Sequence, residues 1–282
     1  MKTRNLPATR SAFTLIELLM VIAIIGVLAS LGIPAITALT KSNKSGNAVR
    51  QLSDDLTIAR NKAISERTTV YMVFVPTNFT DVILTETGTP TVDVHIRRDI
   101  RTVEKLLDAK YTSYALFSWR GVGEQPGVRK PHYLTAWKSL PDGTFIPPDE
   151  YLDYSSFGVN APVQWKNQIM PTPYGRPLPY DYFPFPSENS GNAVALPYIA
   201  FNYLGQLVQP KYLGEELGTQ FEQRIHIADG SIFYARDEFG NLIDGPPEVL
   251  EVPPGSSTEI YNRINIDWLT GKATVERPEI QN

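Results

Sequence analysis

Catalysis needs groups that converge, and the first candidates in this chain are its histidines, His95, His132 and His226. They lie far apart with no metal-ligand spacing, and His95 and His226 fall in strand-like runs where a structural role is expected. The stretch "ARDEFGNLIDG" sets Asp237, Glu238, Asn241 and Asp244 around a turn, where oxygen ligands could hold calcium. It does not match the twelve-residue calcium loop, and Asp, Asn and Gly furnish the tip of any hairpin. "GVGEQPG" has the wrong spacing for a phosphate-binding loop and no Lys-Ser/Thr after it. Nor is there a nucleophile elbow. The acid pairs Asp149/Glu150 and Glu215/Glu216 read as ordinary surface carboxylates and nominate no hydrolase without geometry. With no cysteine, a thiol nucleophile, a disulfide and a thiolate metal site are all excluded. No catalytic residue and no cofactor is assigned.

One acid is different. Glu17 stands near the start of "RSAFTLIELLMVIAIIGVLASLGIPAI", after which the chain stays uncharged from Leu18 to Leu39. As a helix at about 1.5 Å per residue those residues reach about 33 Å, enough to cross a hydrocarbon core of about 30 Å. A transmembrane helix is the expectation. An ordinary secretory signal places a small-residue cleavage site after its apolar region. Here Ser11-Ala12 comes before it, so cutting there would leave the apolar helix on the mature chain. Charge does not orient the span, because Lys41, Lys44 and Arg50 balance Lys2, Arg4 and Arg10 across it.

The order of a basic leader, a small residue, Phe13, Thr14, Leu15, Ile16 and Glu17, then an apolar helix with Gly26 and Pro34, resembles the N-terminal methylation motif of type IV prepilins and type II secretion pseudopilins. The resemblance implies a leader, residues 1–12, on the cytoplasmic side, cut between Ala12 and Phe13 by a prepilin peptidase that also methylates the new amino terminus. This chain departs from the usual pattern in having Ala12 where the family usually has glycine. It further implies a single-pass bacterial inner-membrane protein, its C-terminal domain periplasmic or outside. Its expected partners are other pilin or pseudopilin subunits, an assembly platform protein and, indirectly, an assembly ATPase.

The same resemblance gives Glu17 a role. A carboxylate at mid-membrane costs about 2.5 to 3.5 kcal/mol on insertion scales, less near the interface. Pairing with the cationic amine of Phe13 on a neighbouring subunit recovers part of that cost and makes assembly selective. Gly32 and Pro34 predict a kink or local loosening, since proline removes a helix hydrogen bond. With Gly26 they match the stretch that unwinds in the family as subunits pack.

Beyond the membrane segment, residues 13–40, the chain turns polar but stays periodic. Val49, Leu52, Leu56, Ala59 and Ala63 recur at spacings of three and four, one apolar stripe on an amphipathic helix over residues 41–67. Arg50, Asp54, Asp55, Arg60 and Lys62 are expected mostly on other faces, and Ser45-Gly46 could interrupt the helix. The run "TTVYMVFV" then changes the period to that of a strand.

Further strand-like runs are "DVILT", "VDVHIR", "SYALFSW", "HYLTAW", "YIAFNYLGQLV", "RIHIA", "SIFYAR" and "NRINIDW". Turns are expected at Asp142-Gly143, Asp229-Gly230 and Thr270-Gly271. The fold class is therefore α+β: a long N-terminal helix, its second half packed on a largely antiparallel β-rich domain over residues 68–282. The "FNYLGQLV" strand-turn and the closing hairpin resemble minor pseudopilins of the H type.

Residues 147–186 form an expected insertion rich in proline and aromatics, where prolines disfavour a regular ladder. Tyr174, Tyr180, Tyr182, Phe183 and Phe185 are expected to be partly buried in a loop on the sheet, or else to offer a contact surface. The net charge of −4, about −7 without Lys2, Arg4 and Arg10, suggests no nucleic-acid surface. The functional expectation is a non-enzymatic minor pilin or pseudopilin, with a membrane-tethered binding module using the aromatic loop as the alternative.

Overall fold

The computed structural model describes residues 15–25, 44–75, 106–121, 123–124, 130–151, 178–189, 193–208, 222–243, 245–257 and 262–276. The expected strands at 81–85 and 92–97, His95, Tyr174, Glu215 and Glu216 lie outside them. The chain divides into two units, residues 1–43 and 44–282.

In the first unit, residues 15–25 form a helix, α1. Among the described residues no helix is long and apolar enough to cross a membrane.

The second unit opens with α2, Lys44–Glu66, which buries Ala48, Val49, Leu52, Asp55, Leu56, Ala59 and Ala63 along one face. All five residues of the apolar stripe are among them. Each large aliphatic side chain so buried contributes about 1.5 to 3 kcal/mol. Ser45 and Gly46 sit inside the first turn and do not interrupt the helix, because the packed stripe outweighs about 1 kcal/mol of glycine propensity. The helix ends where Arg67 turns left-handed at φ 50°, letting the Thr68 N–H donate to Ala63 O at 3.2 Å. Such a 6→1 bond satisfies one of the last orphan carbonyls.

Two antiparallel sheets flank this helix. The strands are β1 (Val70–Phe74), β2 (Ser113–Ser118), β3 (His132–Tyr133), β4 (Lys138–Ser139), β5 (Thr144–Phe145), β6 (Tyr180–Pro184), β7 (Ala193–Phe201), β8 (Gln223–Phe233), β9 (Glu248–Glu251), β10 (Asn262–Ile266) and β11 (Ala273–Glu276). The first sheet runs β3-β2-β1-β7-β6 with β4 also on β2, and the second runs β11-β10-β8-β5 with β9 also on β8.

Period-two alternation gives the first sheet two buried faces. Val70, Met72, Phe74, Tyr114, Leu116, Ile199 and Phe201 join the α2 stripe and Ile225, Ile227, Ile264 and Ile266 of the second sheet in one core. Val73, Ala115, Phe117, Phe183, Leu196, Tyr198 and Ala200 form another on the opposite face. The second core is largely aromatic, with Tyr71, Phe117, Phe183 and Tyr198 meeting edge to face at centroid distances of 5.2 to 6.4 Å.

Several expectations are corrected. Asp229-Gly230 is no turn but lies within β8, where Gly230 pairs with Glu251. A Cβ at Gly230 would stand 2.1 Å from Leu250 O, so the glycine serves close strand approach rather than reversal. "HYLTAW" is not one strand: β3 and β4 are two separate short pairings along the edge of β2. Asp142-Gly143 does turn, with Gly143 at φ 82°, but it carries the chain from one sheet to the other instead of closing a hairpin. The end of the proline-rich stretch pairs as β6, an edge strand in the register Tyr180↔Pro197 to Pro184↔Ala193. Edge position is what allows Pro184 in a ladder. Thr270-Gly271 closes the β10–β11 hairpin as expected.

Candidate functional site

The described part of the N-terminal segment, "LIELLMVIAII", is apolar all round except for Glu17. Its side chains are exposed, from 46% at Val21 to 81% at Leu15. A helix apolar on every face needs an apolar surround, either lipid or other helices. Glu17 lies in its first turn, where a carboxylate is favoured by the helix dipole. Ala12, Phe13, Gly26, Gly32 and Pro34 lie outside the described residues, as does the leader.

The calcium candidates do not assemble a site among the described residues. Asp237 spends its carboxylate on its own turn: Oδ1 accepts the N–H groups of Phe239 at 2.9 Å and Asn241 at 2.8 Å, and Oδ2 accepts Asn241 Nδ2 at 3.0 Å. Those bonds hold the Asp237 carboxyl below its usual range, the Asn241 side chain contributing most. Asp244 lies outside the described residues, and among those described no group of three potential ligands could hold a metal. In "GVGEQPG" the Gly121 N–H donates to Glu124 Oε2 at 2.9 Å, and Glu124 Oε1 lies 3.0 Å from His132 Nε2. This loop thus supplies its own anion.

Two polar couples inside the domain were invisible as such in the sequence. Asp55 was expected off the apolar stripe, yet it is 4% exposed. It stands three residues after Leu52 and four before Ala59, which is the buried face. Partners make that tolerable: Tyr114 Oη donates to Oδ2 at 2.7 Å, and Lys138 Nζ donates to Oδ1 at 2.6 Å. Gln51 Nε2 adds a donor to the Tyr114 hydroxyl at 3.1 Å.

Glu150, read as one of a surface pair, is fully buried. It sits in the 3-10 turn Pro148–Tyr151, and its Oε1 accepts the His226 backbone N–H at 3.1 Å and lies 2.7 Å from His226 Nδ1. The carboxyl thereby caps a backbone group on the β5 side of β8. Burial raises the Glu150 pKa well above the usual range and, with Arg263 and Arg224 nearby, pulls His226 down to about 4. Both effects disfavour charge, so the couple holds one proton. Side-chain exposures of 0% and 1% seal it from substrate, so it can brace the fold but not act on a ligand. No motif in the sequence signals it, because its halves are 76 residues apart.

Of the aromatic stretch, Phe183 and Phe185 are buried and Tyr182 is exposed. Tyr180 donates its hydroxyl to Tyr151 O at 2.6 Å. The described end of this stretch is core and edge strand.

Among the described residues, the N-terminal helix is thus apolar but for Glu17, and the polar couples of the second unit lie inside its fold. Residues 8–33 match the prokaryotic N-terminal methylation motif. The match supports membership of the type IV prepilin and pseudopilin family, whose motif implies processing by a prepilin peptidase and assembly with other pilin subunits. No curated protein and no solved structure matches the chain.

Proposed function

We infer that this protein is a non-enzymatic minor pilin or pseudopilin subunit of a type IV pilus or type II secretion filament, assembled through its N-terminal helix. The match of residues 8–33 to the methylation motif carries this reading. The leader, residues 1–12, is removed between Ala12 and Phe13, Phe13 is methylated, and the apolar helix stays in the inner membrane until the subunit is drawn into a filament by a platform protein and its ATPase. Glu17 then meets the Phe13 amine of a neighbour, and Gly26, Gly32 and Pro34 let the helix loosen as it packs. A domain of this size favours a minor subunit over a repeating one.

Glu17→Val in the complete chain tests the assembly role. The variant is expected to be processed and to fold but to be missing from filaments; normal incorporation would defeat the pairing. Mass spectrometry of the mature terminus is expected to find methylated Phe13. A mature chain beginning beyond Leu39 would overturn the whole reading.

A further inference from the structure

A strand at the rim of a sheet leaves alternate N–H and C=O groups without a ladder partner, and proteins usually cover, charge or shorten such rims. Among the described strands every rim but one is treated in this way. On β3 the Leu134 N–H points to Leu116 O, so that of Tyr133 faces outward, and Glu188 Oε2 accepts it at 3.1 Å. β4 is two residues long, and its Ser139 O accepts Gln51 Nε2 at 2.9 Å. On β6 the outward Tyr182 N–H goes to Asp181 Oδ1 at 2.8 Å, and Pro184 has no N–H to offer. β5 is also two residues long, and the Ile146 N–H just beyond it donates to Tyr111 O at 2.9 Å. β9 is a short strand confined between Pro246-Pro247 and Pro253-Pro254.

β11 is the exception. At the mouth of its hairpin the Asp267 N–H donates to Lys272 O at 3.1 Å, so Lys272, Thr274 and Glu276 turn their backbone groups to β10, and Ala273 and Val275 turn theirs outward. No side chain among the described residues caps either one. Thr274, Val275 and Glu276 are exposed, Val275 by 42%. Alternation puts Ala273 and Val275 on the face of Ile266 and Ile264, which belong to the core shared with α2, and Thr274 and Glu276 on the other. The charges of this hairpin are matched: Arg263 Nε donates to Glu276 Oε2 at 2.6 Å, and Lys272 stands across the ladder from Asp267. An uncapped rim with β-branched residues and no unmatched charge is what an added strand requires.

We propose that β11 takes up an extended segment of a different polypeptide as an additional antiparallel strand. The N–H and C=O groups of Ala273 and Val275 supply the hydrogen bonds, and alternation sets the segment's apolar residues beside those two and its polar residues beside Thr274 and Glu276. The segment is uncharged, because an ion brought against this rim meets no opposite charge that is not already matched. A second copy does not fit. Its open rim is again β11, and the strands of the second sheet run lengthwise on α2, with Thr270 O at Arg60 and Gly230 bonded to Gly143 beside the Lys44 side chain. Antiparallel pairing of two β11 strands would set the two domains head to foot, whereas copies anchored in one membrane ahead of Lys44 enter it from the same side. That exclusion rests on the anchored reading proposed above; the strand addition itself does not.

The test places a benzophenone side chain at the position of Thr274 in the full chain, irradiated in native membranes. The expected adduct joins it to a different polypeptide, and mass spectrometry of the joined peptide should find an uncharged stretch with alternating apolar residues. Val275→Pro removes an outward N–H without touching the β10 ladder and should lower the adduct yield several-fold. Val275→Lys charges the same rim and leaves the backbone as it is; it should act likewise, so the result does not hang on how the proline is tolerated. Acetyl-Thr-Val-Thr-Val-Thr-amide at millimolar concentration should compete for the rim, and its Thr-Val-Pro-Val-Thr counterpart should not. An adduct only to a second copy or to lipid, no adduct at all, or a yield indifferent to both Val275 variants would overturn the proposal. The mass of the Phe13 terminus is read on the same sample, so failure here is distinguished from failure of the anchored reading.

Discussion

The Tyr114 hydroxyl on β2 donates a 2.7 Å hydrogen bond to Asp55 Oδ2 on α2, fixing the helix against the first sheet through a carboxylate that is almost entirely buried. Burial first, and the Asp55 bond second, raise the Tyr114 pKa well above its ordinary value, so the phenol remains a donor across the accessible pH range. Tyr114→Phe should cost about 1 to 3 kcal/mol, because it strips a donor from a buried charge. Lys138 also reaches Asp55, at 2.6 Å, but its side chain is 40% exposed. Solvent screening limits that pair to about 0 to 1 kcal/mol, so Lys138→Met should be the milder variant. Urea unfolding of both ranks them, and the reverse order would show that the lysine, not the tyrosine, holds the carboxylate.

The Glu150–His226 couple predicts an unusual pH profile. Folded, it carries one proton, since burial raises Glu150 well above 4.5 and lowers His226 to about 4. Unfolded, with ordinary values of 4.5 and 6.5, the same two groups carry two protons below 4.5, one between, and none above 6.5. Stability from this couple is therefore flat between those values, falls as pH rises above 6.5, and falls as pH drops below 4.5. In Glu150→Gln only His226 still titrates, so the alkaline decline should vanish and stability should rise with pH up to about 6.5. Thermal midpoints of the detergent-solubilised chain from about pH 4 to about pH 9 read this out. Identical alkaline limbs in both proteins would refute the shared-proton account.

Gly230→Ala places a methyl 2.1 Å from Leu250 O and 2.9 Å from Phe145 Cε1. The backbone oxygen cannot swing aside, so the strands must part, at a cost of about 1 to 3 kcal/mol. A lowered denaturant midpoint with unchanged slope is expected; an unchanged midpoint would mean that β8 and β9 are not paired there.

Arg67 occupies a left-handed backbone at φ 50°, which costs a residue with a Cβ about 1 to 2 kcal/mol. Arg67→Gly relieves that strain but loosens the unfolded chain, so a net gain of about 0.5 to 1 kcal/mol is expected. Thermal unfolding measures it, and a destabilised variant would show that the arginine side chain supplies more than the backbone loses.

Local pattern alone specified a good deal. The spacing of Val49, Leu52, Leu56, Ala59 and Ala63 foretold the buried face of α2, because helical periodicity is a property of neighbours in the chain. Strand β1, the Thr270-Gly271 turn and the processing motif were legible for the same reason. Glu150, Asp55 and Gly230 were misread because what decides them is distant in sequence: His226, Tyr114 and Leu250. An Asp-Gly pair looks like a turn until a partner strand continues past it, and an acid looks exposed until a donor from another element covers it. Only the tertiary structure brings those partners within bonding distance, since hydrogen bonds and close packing act over a few ångströms, whatever the separation along the chain.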